Sequence, residues 1–419
     1  MPLLAVQGKA PGGTLRPPIT CSIARCKSLI FIIGILIEDW EWEFNSDPLD
    51  QSFPIKQWVN RYLRLLSESA PYDFSTRSGK ISKQAQPNKT LASTNDQDTD
   101  INQPWLQNNQ AWWDWYVTLA DNKDQDNVAA LAEVAPTPDF EIPSDEVIYD
   151  ELTVPYELTG DHCLAFRRDG FIKLPNVLSP AAVARLRREL IRLFSETFEV
   201  TLDGSKSDRF LSLEMMWLKN NLIRGYVLSP RIAKISAELL GTKSVRLYHD
   251  NALSKEPGCG RTPWHCDDHH FPLETNDVIT AWIPAQPIPV AMGPLSFAKP
   301  LNVFELVKGI KFNKSDTSYD KQISETFKEN HISIEDGSFA MGEVSFHHNL
   351  SFHTAAGNRT TKSRVVLANT YFNDGARVVK EPTMVSGDWQ KFIPGVAPGE
   401  IIVSELNPIC WPTNTKRKA

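Results

Sequence analysis

The chain has 419 residues, a net charge of −7, 41% hydrophobic and 23% charged residues. Those are the proportions of a globular protein with a sizeable core. An acidic balance gives no basic face for nucleic acid, which excludes that class of partner. The six cysteines (Cys21, Cys26, Cys163, Cys259, Cys266 and Cys410) include no CxxC pair. They read as free thiols in a reducing, cytoplasmic setting.

Taken in chain order, the first feature is the apolar run Leu29–Ile37 (LIFIIGILI), preceded by Arg16, Arg25 and Lys27. A bilayer span needs about 20 apolar residues, so this run is too short to cross one. It fits either the core of a targeting segment or a buried strand or short helix. Residues 75–104 are polar and rich in Ser, Thr, Asn and Gln, the composition of a flexible linker. Trp105 to Tyr116 follows with four tryptophans, which are expected to bury themselves against the main domain. Val134–Glu151, rich in Pro and acidic residues, reads as a second linker. These readings divide the chain into an N-terminal extension (1–145), one domain (146–405) and a C-terminal tail (406–419).

From about residue 152 the pattern is regular. Ser179-Pro180 opens a predicted helix, with Ser as N-cap and Pro in the first turn. Val183, Leu186, Leu190 and Leu193 fall on one face of it. Ser229-Pro230 repeats the device, with Ile232, Ile235 and Leu239 inward and Gly241 as the stop. Strands then dominate. Asp277–Pro284 places Val278, Thr280 and Trp282 on one face, and Ser363–Phe372 places Arg364, Val366, Ala368 and Thr370 together. Helices followed by many short strands predict a mainly β fold with flanking helices, a barrel or double-sheet jelly roll.

Six of the nine histidines fall in two clusters: Thr262–Phe271 (TPWHCDDHHF) and Phe346–His353 (FHHNLSFH). On a strand, His265 and Asp267 point the same way, while Cys266 and Asp268 point elsewhere. One further histidine from the second cluster (His347, His348 or His353) would complete a two-histidine, one-carboxylate set, which leaves positions open on an octahedral ferrous ion. A zinc-dependent hydrolase is the nearest metal-based alternative, and a non-catalytic cupin-like binding protein is the other.

Over roughly residues 152–380 the sequence resembles the phytanoyl-CoA dioxygenase family of Fe(II)- and 2-oxoglutarate-dependent oxygenases. Four pieces carry the resemblance, in order: Phe166–Ile172 (FRRDGFI); Lys255-Glu-Pro-Gly258 followed by Trp264-His-Cys-Asp267; Met292–Phe297 (MGPLSF); and His353–Asn358 (HTAAGN) followed by Arg364. The resemblance implies a double-stranded β-helix with His265, Asp267 and His353 as iron ligands and Arg364 holding 2-oxoglutarate. It places Asn251 and Trp282 beside that cosubstrate and O2 at an open metal position. His347 is then expected to be structural and His348 to line the pocket or pack; His269 and His270 are expected to pack or support. Asp267 is retained where halogenating members lack the carboxylate, which implies oxidation of a C–H bond, as in hydroxylation. The substrate would be a small organic molecule such as an acyl-CoA, a lipid or a secondary metabolite, and neither a membrane nor a nucleic acid is an expected partner. Many relatives have Gly-Ser-His where this chain has Phe297-Ala-Lys-Pro-Leu-Asn302, so residues 300–336 are expected to form a variable lid.

Overall fold

The computed structural model describes residues 4–8, 19–21, 42–43, 131–135, 140–202, 209–311, 317–382 and 389–412. The chain divides into two compact units, Met1–Asp96 and Gln97–Ala419. In the first, β1 (Leu4–Gly8), β2 (Ile19–Cys21) and β3 (Trp42–Glu43) form an antiparallel sheet of order β2-β1-β3. The apolar run 29–37, the polar stretch 75–104 and the tryptophan-rich segment 105–116 lie outside the described residues.

The second unit begins with helices α1 (Asp145–Thr153), α2 (Gly160–Asp169), α3 (Pro180–Phe198), α4 (Asn221–Val227) and α5 (Pro230–Leu240). The segment expected as a second linker therefore carries α1. Ile148 and Leu152, one helical turn apart, are both buried there and outweigh the proline and acid content around them. The two Ser-Pro starts form as predicted. Ser179 accepts from the Ala182 N–H and Ser229 from the Ile232 N–H, and α5 stops at Gly241 in the left-handed region at φ 73°. Val183, Leu186 and Leu190 of α3 are fully buried, as are Ile232, Ile235 and Leu239 of α5. Truncating one such leucine to alanine costs roughly 2–5 kcal/mol.

The strands are β4 (Phe171–Leu174), β5 (Phe210–Glu214), β6 (Val245–Lys255), β7 (Thr262–His265), β8 (Val278–Pro284), β9 (Leu295–Lys299), β10 (Ser333–Glu335), β11 (Val344–His348), β12 (His353–Ala355), β13 (Arg364–Asn373) and β14 (Ile409–Trp411). They form a major sheet of order β14-β6-β13-β8-β11-β4, with β5 also on β6, and a minor sheet of order β10-β9-β12-β7. The tail expected from residue 406 starts instead with structure. Asn407 is buried and donates to the carbonyls of Leu247, Tyr248 and Phe392, which seats β14 on β6.

Alternation along the major sheet separates two environments. Ala252, Ala281, Ile283, Phe346, Val365 and Leu367 face outward into the core shared with the helices. Their neighbours face a cavity on the inner side. Residues 300–336, expected as a lid, contain α6 (Val303–Val307) and α7 (Ser318–Glu329), packed on Trp264 and Phe352. Asp320 of α7 accepts from Arg261 and from the Trp264 backbone N–H at 2.8 Å, so this helix braces β7 immediately before His265.

Candidate metal and cosubstrate site

His265 ends β7 and pairs across the ladder with His353, the first residue of β12. Directly opposed residues of an antiparallel pair share a face, and the two rings lie 4.2 Å apart. Cys266 stays extended before a 3-10 turn opens at Asp267. The alternation read from sequence thus survives one residue past the strand and brings Asp267 back to the same face. One ligand atom each from His265, Asp267 and His353 lie within 4.8 Å of one another.

The surrounding hydrogen bonds fix which atoms face the centre. His265 Nδ1 lies 2.8 Å from the Pro263 carbonyl and His353 Nδ1 lies 3.0 Å from the Ser351 carbonyl. A carbonyl only accepts, so each Nδ1 carries the proton and each neutral ring offers an Nε2 lone pair. Burial pushes His353 well below the usual histidine range, assisted by His265 and His347. Burial also works to raise the Asp267 carboxyl. The His347 hydrogen bond, with the neighbouring His353 and His265 imidazoles, overcomes it and holds the group well below the usual carboxylate range. Asp267 Oδ2 is occupied by His347 Nε2 at 3.2 Å and Thr280 Oγ1 at 3.1 Å, while Oδ1 lies 3.8 Å from His353 Nε2. An ionised carboxylate with one oxygen turned inward, beside two oriented imidazoles, is a donor set that fits a divalent transition metal.

Arg364 opens β13 and is 2% exposed. Its Nη1 donates to the Gly293 carbonyl at 2.6 Å, its guanidinium carbon lies 5.4 Å from the Trp282 ring, and its Nε is buried without a partner. Burial pushes its pKa down to about 10, so it remains cationic at neutral pH. No carboxylate pairs with it among the described residues. A buried, cationic fork with an unused donor fits an anionic ligand.

The sequence motifs supply the scaffolding. Gly293 sits at φ 71°, and a Cβ there would stand 2.1 Å from the Ala356 carbonyl oxygen, so only glycine permits this approach to the β12–β13 connection. Asn358 is fully buried. It donates to the carbonyls of Lys255 and Lys362 and accepts from Thr360, which sets the loop between His353 and Arg364.

A cavity of about 200 Å³ opens between the sheets, and the three candidate ligands, Arg364, Asn251 and Trp282 all line it. Asn251 Oδ1 accepts from Ser212 Oγ at 2.8 Å. In the second histidine cluster it is His347, expected to be structural, that departs from expectation. His347 lines the cavity and touches Asp267, whereas His348 faces away, near Phe166 at a ring distance of 6.3 Å, and accepts from the Leu350 N–H. His270 also lines the cavity, while His269 packs on Tyr319 and contacts Cys266 Sγ at 3.3 Å. The parity of β11 carried the signal: Ser345 and His347 share the face of Thr280 and Trp282, their partners across the ladder.

Facing antiparallel sheets with helices on the outer side define a double-stranded β-helix, a jelly-roll core. Within it, residues 166–366 match the family "Phytanoyl-CoA dioxygenase (PhyH)". Over 138 residues it is 28% identical to an ectoine dioxygenase of Bordetella bronchiseptica, an alignment covering 31% of this chain and 44% of that enzyme. The counterpart from Bordetella parapertussis is 27% identical over the same length, with the same shares of the two chains. The chain thus spans less than half the length of the curated relatives it matches. Among solved structures, the non-heme alpha ketoglutarate dependent carbocyclase SnoK from nogalamycin biosynthesis aligns with TM-score 0.51 at 23% identity, covering 61% of this chain and 99% of that one. That likeness is one of fold.

No helix among the described residues is long and apolar enough to cross a membrane.

Proposed function

We propose that this protein is an Fe(II)- and 2-oxoglutarate-dependent dioxygenase that oxidises a C–H bond of a small organic molecule. The observation that carries the reading is the convergence of His265, Asp267 and His353 in the same cavity as a buried Arg364 that has no carboxylate partner among the described residues. His265, Asp267 and His353 would hold the metal. Arg364 would take the far carboxylate of 2-oxoglutarate, with Trp282 against its guanidinium and Asn251 beside it. Iron and 2-oxoglutarate, when bound with O2, supply an oxidant strong enough for an unactivated C–H bond, with succinate and carbon dioxide as the coproducts.

The chain's own part is orientation and exclusion. Pro263 and Ser351 carbonyls hold the two imidazoles as Nε2 donors. His347 and Thr280 saturate one oxygen of Asp267, which leaves the other for a single metal bond. The Gly293 carbonyl aims Arg364. Apolar walls at Leu253, Leu295 and Ala355 keep water away from the reacting centre.

The test is anaerobic titration of the full chain with Fe(II) and 2-oxoglutarate, followed by succinate measurement in air. A weak visible charge-transfer band followed by succinate is the expected result. A band without succinate would point to a binding protein. Absence of both, with hydrolytic activity on zinc loading, would replace the reading with a zinc hydrolase.

A further inference from the structure

The inner face of the major sheet carries a row of paired residues that runs sideways across the strands. His249 of β6 opposes Thr370 of β13, Thr370 opposes Thr280 of β8, and Thr280 opposes His347 of β11. Thr280 and His347 both bond Asp267. His249 therefore stands on the same face as the metal-site residues, two strands from Thr280, and it lines the same cavity.

Its environment fixes what it can do. His249 Nδ1 donates to the Asp250 carbonyl at 3.2 Å. The ring is stacked on Phe392 at 4.3 Å and 20°, and it meets Phe271 edge-on at 6.2 Å. Burial lowers its pKa, so the ring is neutral. With Nδ1 protonated, Nε2 is an acceptor, and it has no partner among the described residues. A rigidly held acceptor is thus presented beside the rings of Phe271 and Phe392, and Phe271 lines the same cavity.

We propose that the His249 end of the cavity recognises a compact, uncharged, ring-bearing alcohol or phenol, whose hydroxyl donates to His249 Nε2 while its ring lies against Phe271. The proposal names the substrate class of the oxygenase reading and rests on it. Charge supports it. Histidines apart, the acidic and basic side chains among the described lining residues are Asp267 and Arg364, and both are assigned to the metal and the cosubstrate. An ionic group on the substrate would be buried without a counter-charge, which is costly. Size supports it as well: a cavity of about 200 Å³, shared with a cosubstrate, lies below the ~300–1,000 Å³ of typical drug-sized sites and suits a compact molecule.

The test compares two probes of equal shape, 2-naphthol and 2-fluoronaphthalene, of which only the first donates a hydrogen bond. Their dissociation constants are measured by titration on the full-length chain without metal, for wild type, His249→Phe and His249→Gln. The ratio of affinities, naphthol over fluoronaphthalene, is expected to fall about tenfold from wild type to His249→Phe, a loss of ~1.4 kcal/mol. His249→Gln, which keeps an acceptor oxygen, should recover part of it. Unchanged fluoronaphthalene binding in His249→Phe shows that the cavity is intact. An unchanged ratio in that variant, or failure of both probes to bind wild type, overturns the proposal. The two readings fail separately. The probe ratio needs no iron, so a normal ratio with no succinate would sink the oxygenase reading alone. Succinate formation with an unchanged ratio would sink only the alcohol or phenol site.

Discussion

At the residue scale, the contact between His347 and Asp267 adds a fourth side chain to the candidate centre. Asp267→Ala and His353→Ala are each expected to abolish metal binding at micromolar Fe(II) and 2-oxoglutarate-dependent succinate formation, with the far-UV circular dichroism spectrum unchanged. His347 is expected to behave as a positioning residue. Removing its donor leaves Asp267 Oδ2 with Thr280 alone, and loss of such an outer partner typically weakens metal by about 10–100-fold. His347→Phe should show that loss in a Co(II) titration, and His347→Gln, with an amide donor near the position of Nε2, should regain part of it. Equal Co(II) affinity in wild type and His347→Phe would remove His347 from the centre. Arg364 makes the complementary case. Charged hydrogen bonds contribute roughly 1.5–3 kcal/mol, so Arg364→Ala should weaken 2-oxoglutarate about 10- to 100-fold while leaving Co(II) affinity within twofold. Arg364→Lys should recover only part, since an ammonium cannot form the paired fork. An unchanged 2-oxoglutarate constant in Arg364→Ala would assign the cosubstrate to another cation.

At the element scale, the legible features were local ones. The Ser-Pro starts of α3 and α5 carry their caps in adjacent residues, and the inner faces of β8 and β13 follow from alternation. Arg364, Ala368 and Thr370 do line one cavity with Thr280 and Trp282. The parity of β11 gives the face of His347, but its bond was not legible, because the partner lies 80 residues away in the turn after β7. The helix α1 was hidden behind proline and acidic residues, and the burial of Ile148 and Leu152 appears only when α4 and α5 are in place. A further long-range element is Asp250 of β6. It is fully buried and accepts from the Met216 N–H at 2.9 Å and from the Trp217 N–H at 3.4 Å, tying β6 to the turn before α4. Burial raises its pKa to about 7, although those two donors oppose the shift. An acid whose folded pKa lies above its unfolded value of about 3.9 binds more protons in the folded state. Its contribution to stability is therefore complete below about pH 4 and is lost as the pH rises toward 7. Asp250→Asn keeps one acceptor and removes the ionisation. At pH 8 it is expected to raise the melting temperature relative to wild type by about 2–4 °C, the shift for ~1 kcal/mol in a domain of this size, with no gain at pH 4. A gain of equal size at both pH values would show that ionisation of Asp250 is not the cause.

At the scale of the whole molecule, the question is how much chain the candidate site requires. We propose that the oxygenase domain is the part of the chain beyond the N-terminal extension, and the packing moves its limits outward from 146 and 405. Ala132 bridges to Thr360, two residues beyond Asn358 in the loop that sets Arg364, and Val134 packs with Trp282 and Val366. At the other end, Asn407 and β14 close the edge of β6, the strand that carries His249 and Asn251. A protein cut to Leu131–Pro412 is therefore expected to fold, to unfold in one cooperative transition and to bind metal as the full chain does. Cutting instead at Glu146 removes the start of α1 and the Ala132 bridge, and cutting at 405 exposes the edge of β6. Both shorter forms should melt lower. Metal binding supplies a direct measure, since a ligand at 100 times its dissociation constant stabilises the folded state by about 2.7 kcal/mol. Mn(II) at that ratio should raise the melting temperature of the full chain and of Leu131–Pro412 by the same amount, and should leave Asp267→Ala unmoved. If Leu131–Pro412 aggregates, or melts without a Mn(II) response that the full chain retains, then residues 1–130 form part of the site-bearing core and the domain limit lies further toward the N-terminus.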